Sequence, residues 1–445
     1  MKTLSPVFLN QKTIRPSSCS SNSSDINPEE EFININNIRV PSIPFIPYSN
    51  FNFTSQNSHQ NNKDNTKQKQ TVYPYPLITT ENLIYSYISP KFDSLCLDEI
   101  SLNSLMKIFP KKRLNVVLDI DQTLIYSKDL VKFNDVTRNL ITDDTHKIKV
   151  TVQSKDYDFA LNLRNYLKPF LQSISKFSTV YICTLSHENY AKQIIDILRK
   201  ISNIEIKDDN IIAVGANSNY ETFPKSISLF KNITNSKNTV ILDDTASVWV
   251  DSDLPNLILS KKYFSFKDID RIPFQYLGAN NTRIERDCYF EDEQNTLPIY
   301  AENEFSSKMQ LKYIASFIEK AFKLSIIRNE EVLDSMRKLK KRILMKCNIN
   351  LNYFTYTKEL NFVKDLIKYL GGNDNIEKST TTHFIVSSKI KDENRRLAQQ
   401  TNGIMYNNNG KGSANKSAYY VNLKWLFHCY FYLEKMDEMS DEYKM

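Results

Sequence analysis

Apolar positions along the chain change their spacing several times, and each change predicts a different element. The run Leu114-Asn115-Val116-Val117-Leu118 is short and leads straight into Asp119-Ile120-Asp121-Gln122-Thr123, which predicts a buried strand with an acidic tip. A polar stretch follows over 126–158. Inside it, residues 146–152 (HKIKVTV) alternate polar and apolar, the period of a hairpin strand, and predict an inserted β flap. Over 160–175, Leu163, Leu167, Phe170, Leu171 and Ile174 recur at helical spacing, as do Ala191, Ile194, Ile195 and Leu198 over 188–201. Continuous apolar runs at 179–183, 211–214, 239–242 and 256–259 read as buried strands. Strand and helix in alternation predict a parallel, doubly wound sheet whose site belongs at the carboxyl ends of the strands.

The flanking regions differ. Residues 1–78 are rich in Asn, Ser, Gln and Pro, with Pro41, Pro44 and Pro47 interrupting the only stretch of helical length; such a segment buries too little apolar surface to offset its ordering entropy and is expected to be disordered. Residues 79–265 form the predicted α/β domain with a helical lead-in over 79–110. A linker over 266–337 carries an acidic run, Glu291-Asp292-Glu293, and a helix at 311–327. From 338 to 445 a second small α/β unit is predicted: a strand at 343–349, a helix at 358–370 stopped by Gly371-Gly372, a strand at 382–386, a polar helix at 391–400 and an apolar-faced helix at 421–434 carrying Trp425.

Composition narrows the class. The chain has 445 residues, six cysteines without a C-x-x-C pair and a formal charge of +7. Scattered cysteines argue against a disulfide scaffold or a zinc knuckle and fit a reducing compartment. No apolar run approaches 18 residues and the first residues lack the apolar core of a signal peptide, so a soluble intracellular protein without membrane contact is expected. The basic clusters Lys111-Lys112-Arg113 and 337–342 (RKLKKR) read as solvated faces. No direct nucleic-acid contact is expected.

The acids supply the candidate chemistry. Asp119 and Asp121 stand two residues apart, which places them on one side of an extended strand end; a second apolar strand ends in Asp243-Asp244. A carboxylate repels a phosphate dianion unless a divalent cation lies between them, and Mg2+ takes hard oxygen ligands. Asp119, Asp121 and Asp244 form the expected metal set, Asp121 through its backbone carbonyl. Asp119 is the candidate nucleophile and Asp121 the acid and base. Thr184, ending a strand, and Lys225, at the start of a short helix, are candidate phosphate and charge partners; Thr123 and Asp243 are expected to support the loop and the metal shell.

These residues fall in the order of a known family. The run 118–124 (LDIDQTL) resembles the first motif of the haloacid dehalogenase superfamily, and in particular the Fcp-type phosphatases of the RNA polymerase II carboxy-terminal domain. Arg164 with Phe170-Leu171, then Tyr181-Ile182-Cys183-Thr184 with Tyr190-Ala191, then 224–229 (PKSISL), then Ile241-Leu242-Asp243-Asp244 with Val248-Trp249 are similar to later motifs of that family. The last hundred residues resemble a BRCT domain through Gly371-Gly372, 381–386 (TTHFIV), and Trp425 with Cys429. The resemblance implies a Rossmannoid parallel sheet with an inserted β flap plus a separate BRCT domain. It also implies a nuclear, Mg2+-dependent protein-serine phosphatase that acts on the heptad repeats through an aspartyl phosphate, with TFIIF among its partners. Arg164 would be a supporting residue. Asn165 replaces the family's Pro, Thr245 stands where many members have Arg, and the family's Cys-containing segment before the domain is not evident. Two alternatives stay open: a BRCT-containing phosphopeptide-binding adaptor without catalysis, and a phosphatase of the same superfamily with another phosphoprotein or a small molecule as substrate.

Overall fold

The computed structural model describes residues 32–35, 38–41, 97–98, 100–132, 145–152, 154–216, 224–265, 301–303, 306–354, 360–374, 380–386 and 418–444. The chain divides into two compact units, Met1–Tyr75 and Pro76–Met445. In the first, β1 (Phe32–Ile35) and β2 (Ile38–Pro41) pair antiparallel; the remainder of 1–78 lies outside the described residues, as do the expected helix at 391–400 and the acidic run at 291–293.

The second unit is built on a five-stranded parallel sheet. Its members are β3 (Leu114–Leu118), β7 (Ser178–Thr184), β8 (Ile211–Ala213), β9 (Thr239–Asp243) and β10 (Leu257–Leu259), in the spatial order β10-β9-β3-β7-β8. The central strands are apolar on both faces because both are covered, the one bearing Val117, Tyr181 and Ile241 by Ile227, Phe230 and Trp249 from short turns rather than helices, and Val116, Val117, Leu118, Val240, Ile241 and Leu242 are fully buried. The chain runs outward from β3 first on one side and then on the other. The order therefore reverses between β3 and β9, and at such a switch point the carboxyl ends open a crevice. Asp119 lies on one side of it and Asp243-Asp244 on the other.

The flap is a three-stranded antiparallel sheet in the order β4-β6-β5, formed by β4 (Ile125–Asp129), β5 (His146–Val152) and β6 (Lys155–Leu163). Here the expected helix over 160–175 is shortened. Residues up to Leu163 pair with Ile125 in β6, and helix α2 starts at Leu167 (Leu167–Ser175), after a left-handed Tyr166 at φ 67°. Strand pairing overrides the helical spacing of Leu163. Helix α1 (Leu102–Ile108) is capped by Ser101, and α3 (Glu188–Ser202) buries Tyr190, Ala191, Ile194, Ile195 and Leu198 before Asn203 ends it in the left-handed conformation.

Two short strands, β11 (Lys262–Phe264) and β12 (Ala301–Asn303), pair in parallel. Helix α4 (Gln310–Arg328) packs on α1, α2 and α5 (Val332–Lys340), and it also touches the last helix of the chain. Expected as part of a linker, α4 is instead buried around most of its circumference, with Phe322 stacked on Phe177 at 5.1 Å.

The C-terminal module has a parallel three-stranded sheet of β13 (Ile349–Asn350), β14 (His383–Val386) and β15 (Tyr419–Asn422), with helices α6 (Leu360–Tyr369) and α7 (Leu423–Tyr432). The strand expected over 343–349 is mostly turn. Ile343 and Leu344 are buried, but Leu344 N bonds Leu370 O and Lys346 takes φ 70°, so only Ile349 and Asn350 join the sheet. Gly371 ends α6 at φ 86°, where a Cβ would meet Lys341 O at 1.8 Å. Trp425 and His383 are core residues, their rings stacked at 4.9 Å. Among the described residues no helix is long and apolar enough to cross a membrane.

Candidate active site

The acidic tip is made by a turn rather than by continued strand. Asp119 N still donates to Leu242 O across the switch point (3.0 Å), but from Ile120 onward the chain closes on itself. Gln122 adopts φ 61° and its amide bonds Ile125 O at 2.7 Å, while the amides of Leu124 and Ile125 both return to Ile120 O. The two acids thus do not share one face by strand alternation, as their spacing suggests. The turn directs them differently.

Asp119 is buried and points at the neighbouring strand ends. Lys225 Nζ lies 2.6 Å from Asp119 Oδ1 and 2.7 Å from Asp243 Oδ2. Asp243 also accepts from Thr245 N at 2.8 Å and from the indole N–H of Trp249 at 2.9 Å. Lys225 does not start a helix. Its backbone pairs with the chain at Trp249 through Val248 O and Val250 N, and the short turn Ile227–Leu229 follows, capped by Ser226. That pairing holds the ammonium between the two carboxylates.

Burial pushes the Asp119 carboxyl well above the usual carboxylate range; Lys225 pulls it back, and Asp243 and Asp244 push the same way as burial. Burial likewise raises Asp243 against the pull of Lys225. For Lys225, burial works against the charge, but the two carboxylates overcome it and hold the ammonium above its ordinary value. Burial is thus the leading cause for both carboxylates, and the single ammonium they share offsets it only in part.

Asp244 is tied to the turn from which Asp119 projects. Its amide donates to Thr123 Oγ1 at 3.0 Å, and the Thr123 hydroxyl donates to Asp244 Oδ1 at 3.1 Å. Lys262 Nζ lies 3.3 Å from Asp244 Oδ2 and 2.8 Å from Gln122 Oε1. Arg164, fully buried, donates to Thr123 O at 2.8 Å and pairs with Glu302 at 2.8 Å.

Asp121 faces the other way, towards α3. Tyr190 donates its hydroxyl to Asp121 Oδ1 at 2.6 Å and Ser186 donates to Oδ2 at 2.5 Å, while Ser127 reaches Oδ1 at 3.4 Å. Burial, then the Asp121 charge, holds the Tyr190 phenol far above its ordinary pKa, so it remains a donor. Thr184 Oγ1 accepts from Ser186 N at 3.1 Å and lines the same cleft, a space of about 290 Å3 that also takes in Asp119, Asp121, Lys225 and Asp244. Cys183, one residue away, is an inert thiol that burial pushes up to about 12.

A divalent metal fits part of this set. One carboxylate oxygen each from Asp119, Asp243 and Asp244 lies within 4.8 Å of the others, a hard-oxygen donor set with excess negative charge, which suits Mg2+. Of the expected metal residues, Asp119 and Asp244 belong to this group, and the Asp121 side chain is directed to Tyr190 and Ser186 instead. The arrangement thus supplies a carboxylate beside a fixed ammonium, a second carboxylate in a network of hydroxyls, and an acid cluster able to hold a cation. The hydroxyls of Ser127 and Ser186 had no distinctive spacing to single them out, and Tyr190 and Trp249 stood in family-like segments with no role assigned to them. Lys262 stands just beyond the end of β10 at Leu259, so a search of the residues after each strand end would have found it.

Residues 114–276 match the family model of the NLI interacting factor-like phosphatases. Over that stretch the chain is similar to the phosphatases of this family. Two curated relatives are similar. One is RNA polymerase II C-terminal domain phosphatase-like 3 of Arabidopsis thaliana, 27% identical over 194 residues (41% of this chain and 15% of that protein). The other is an RNA polymerase II C-terminal domain phosphatase of Encephalitozoon cuniculi (strain GB-M1), 25% identical over 228 residues (50% and 45%). The matches thus span less than half the length of either relative. Among solved structures, fission yeast RNA polymerase II CTD phosphatase Fcp1 bound to beryllium fluoride is 18% identical with a TM-score of 0.48, covering 77% of this chain and 99% of that one.

Proposed function

We propose that the chain is a Mg2+-dependent protein-serine phosphatase of nuclear RNA polymerase II, acting on the phosphorylated heptad repeats of its carboxy-terminal domain. The observation that carries the chemistry is the placement of Asp119 and Asp121 on one turn at the sheet's switch point, one beside Lys225 and the other beside Tyr190 and Ser186. The substrate is supported by what the two curated relatives are named for.

In this reading an Asp119 carboxylate oxygen attacks phosphorus and the bond to the serine oxygen breaks. Asp121, protonated, gives its proton to that leaving oxygen. Asp121, now a carboxylate, takes a proton from water as the water oxygen attacks phosphorus, which releases Asp119 and inorganic phosphate. Lys225 holds Asp119 in line and offsets charge as the phosphoryl group arrives, and the Thr184 hydroxyl donates to a phosphoryl oxygen. Asp119 and Asp244, with the Asp121 carbonyl, would hold Mg2+, which screens the attacking carboxylate from the phosphate dianion. Asp243 is better placed as the partner that fixes Lys225 and Trp249 than as a metal ligand, since Lys225 Nζ, Thr245 N and Trp249 Nε1 already donate to its oxygens. We assign the C-terminal module as a BRCT domain and TFIIF as a partner.

Release of phosphate from singly phosphorylated heptad peptides, with and without Mg2+, compared between wild type and Asp119→Asn, tests this reading. Mg2+-dependent turnover in the wild type alone is expected. Equal inertness of both would move the assignment to the phosphopeptide-binding adaptor.

A further inference from the structure

We infer that Gln310 is a positioning residue that ties the C-terminal module to the acid-bearing turn, so that docking of α7 sets the position of Thr123 and, through it, Asp244. The inference rests on the site assigned above and concerns how that site is held. Gln310 opens α4 and is fully buried in a helix whose inward residues are otherwise mostly apolar. Both ends of its amide are used. Oε1 accepts from Lys261 N at 2.7 Å and from Arg164 Nη2 at 3.0 Å, and Nε2 donates to Phe431 O in α7 at 2.7 Å.

From Arg164 the path continues without a gap. Nη1 donates to Thr123 O at 2.8 Å, and Thr123 exchanges two hydrogen bonds with Asp244. Phe431, Gln310, Arg164, Thr123 and Asp244 thus form one buried chain of hydrogen bonds, two of them donated by a charged guanidinium, where the low dielectric strengthens each bond. Glu302 neutralises Arg164 from the side at 2.8 Å, so Gln310 is not needed for charge balance. Its contribution is direction: a donor towards the module and an acceptor towards the turn. A leucine there keeps the volume but leaves the Phe431 carbonyl and the Lys261 amide without this partner.

Three readouts in the full chain separate this role from general packing: amide exchange at Asp244, Mg2+ affinity by calorimetry, and kcat against KM on the phosphopeptide. The control is Tyr313→Ala, which removes the edge-on contact of Tyr313 with Tyr432 (4.9 Å) on the same α4–α7 interface and leaves the chain of bonds untouched. Gln310→Leu is expected to speed exchange at Asp244 and weaken Mg2+ binding, each by about tenfold, the size of one buried hydrogen bond, and to lower kcat with KM unchanged. Tyr313→Ala is expected to lower the melting temperature and leave all three within twofold. Gln310→Glu, which keeps the acceptor but sets a carboxylate oxygen against the Phe431 carbonyl, should shift the same three readouts in the same direction and at least as far as Gln310→Leu; Gln310→Met, which removes both bonds with a flexible side chain, serves if neither folds. Equal effects from the Tyr313 and Gln310 variants, or unchanged exchange at Asp244 in the Gln310 variants, would overturn the inference. Exchange needs neither metal nor turnover, so failure of the phosphatase reading leaves this test intact.

Discussion

Lys225 and Asp119 meet at 2.6 Å in a site where both are almost fully buried, and Asp243 completes the group from the other side of the ammonium. Removing one partner of a buried ion pair typically costs about 3–5 kcal/mol because the other charge is left uncompensated. Lys225→Met should therefore lower stability by an amount of that order in urea unfolding near neutral pH, and also abolish turnover. Asp243→Asn, which leaves Lys225 paired with Asp119, should be milder in the same assay.

Asp119 and Asp121 are assigned separate tasks, and their variants should separate as well. Asp119→Asn removes the nucleophile and should leave no measurable turnover. Asp121→Asn removes the proton donor and acceptor and should slow turnover by about 10²–10⁴-fold, the range of general acid–base catalysis. Trapping of a labelled phosphoryl group on Asp121→Asn, but not on Asp119→Asn, in quenched samples is the deciding measurement.

Tyr190 and Ser186 orient Asp121 from α3 and the loop before it. Hydrogen bonds to a charged group contribute about 1.5–3 kcal/mol to stability, so Tyr190→Phe should lower the melting temperature by a few degrees and, by freeing the Asp121 carboxylate it orients, lower kcat as well. Steady-state kinetics alongside a thermal melt checks it. A fall in stability without a fall in kcat would make Tyr190 a packing residue only.

In the C-terminal module, Glu438 accepts from His383 at 2.8 Å and from Lys435 at 2.6 Å. Burial opposes the charged carboxylate, but these two partners hold it down to about 2, against an ordinary 4.5. A depressed folded-state value stabilises above the unfolded value and is lost as pH falls towards the folded one. Wild type should accordingly exceed Glu438→Gln in stability at neutral pH, with the difference shrinking from about pH 4.5 and vanishing near pH 2. Urea titrations across that range measure it.

The sheet and its acidic tips were legible in the sequence because a buried parallel strand writes itself as a continuous apolar run, and Leu114–Leu118 and Thr239–Asp243 are such runs. Periodicity misled at Leu163, whose helical spacing to Leu167 lost to pairing with Ile125, and at 343–349, where buried Ile343 and Leu344 lie in turns. The site was half legible. Asp119 and Lys225 meet as the order of the segments along the chain suggests, but the Asp121 contacts depend on a positive φ at Gln122 and on hydroxyls of Ser186 and Tyr190 that no spacing marks. The network through Arg164 joins residues 123, 164, 302, 310 and 431, which no local pattern connects.

Trp249 donates its indole N–H to Asp243 and lies 5.7 Å from the Lys225 ammonium, and the chain has only one other tryptophan, Trp425. An indole whose ring faces a cation and whose N–H binds a carboxylate has an emission colour and intensity set by those two charges. The protein therefore contains its own optical gauge of the centre: with Trp425 replaced, the light from a single residue reports each time the charge around Asp243 and Lys225 is redrawn.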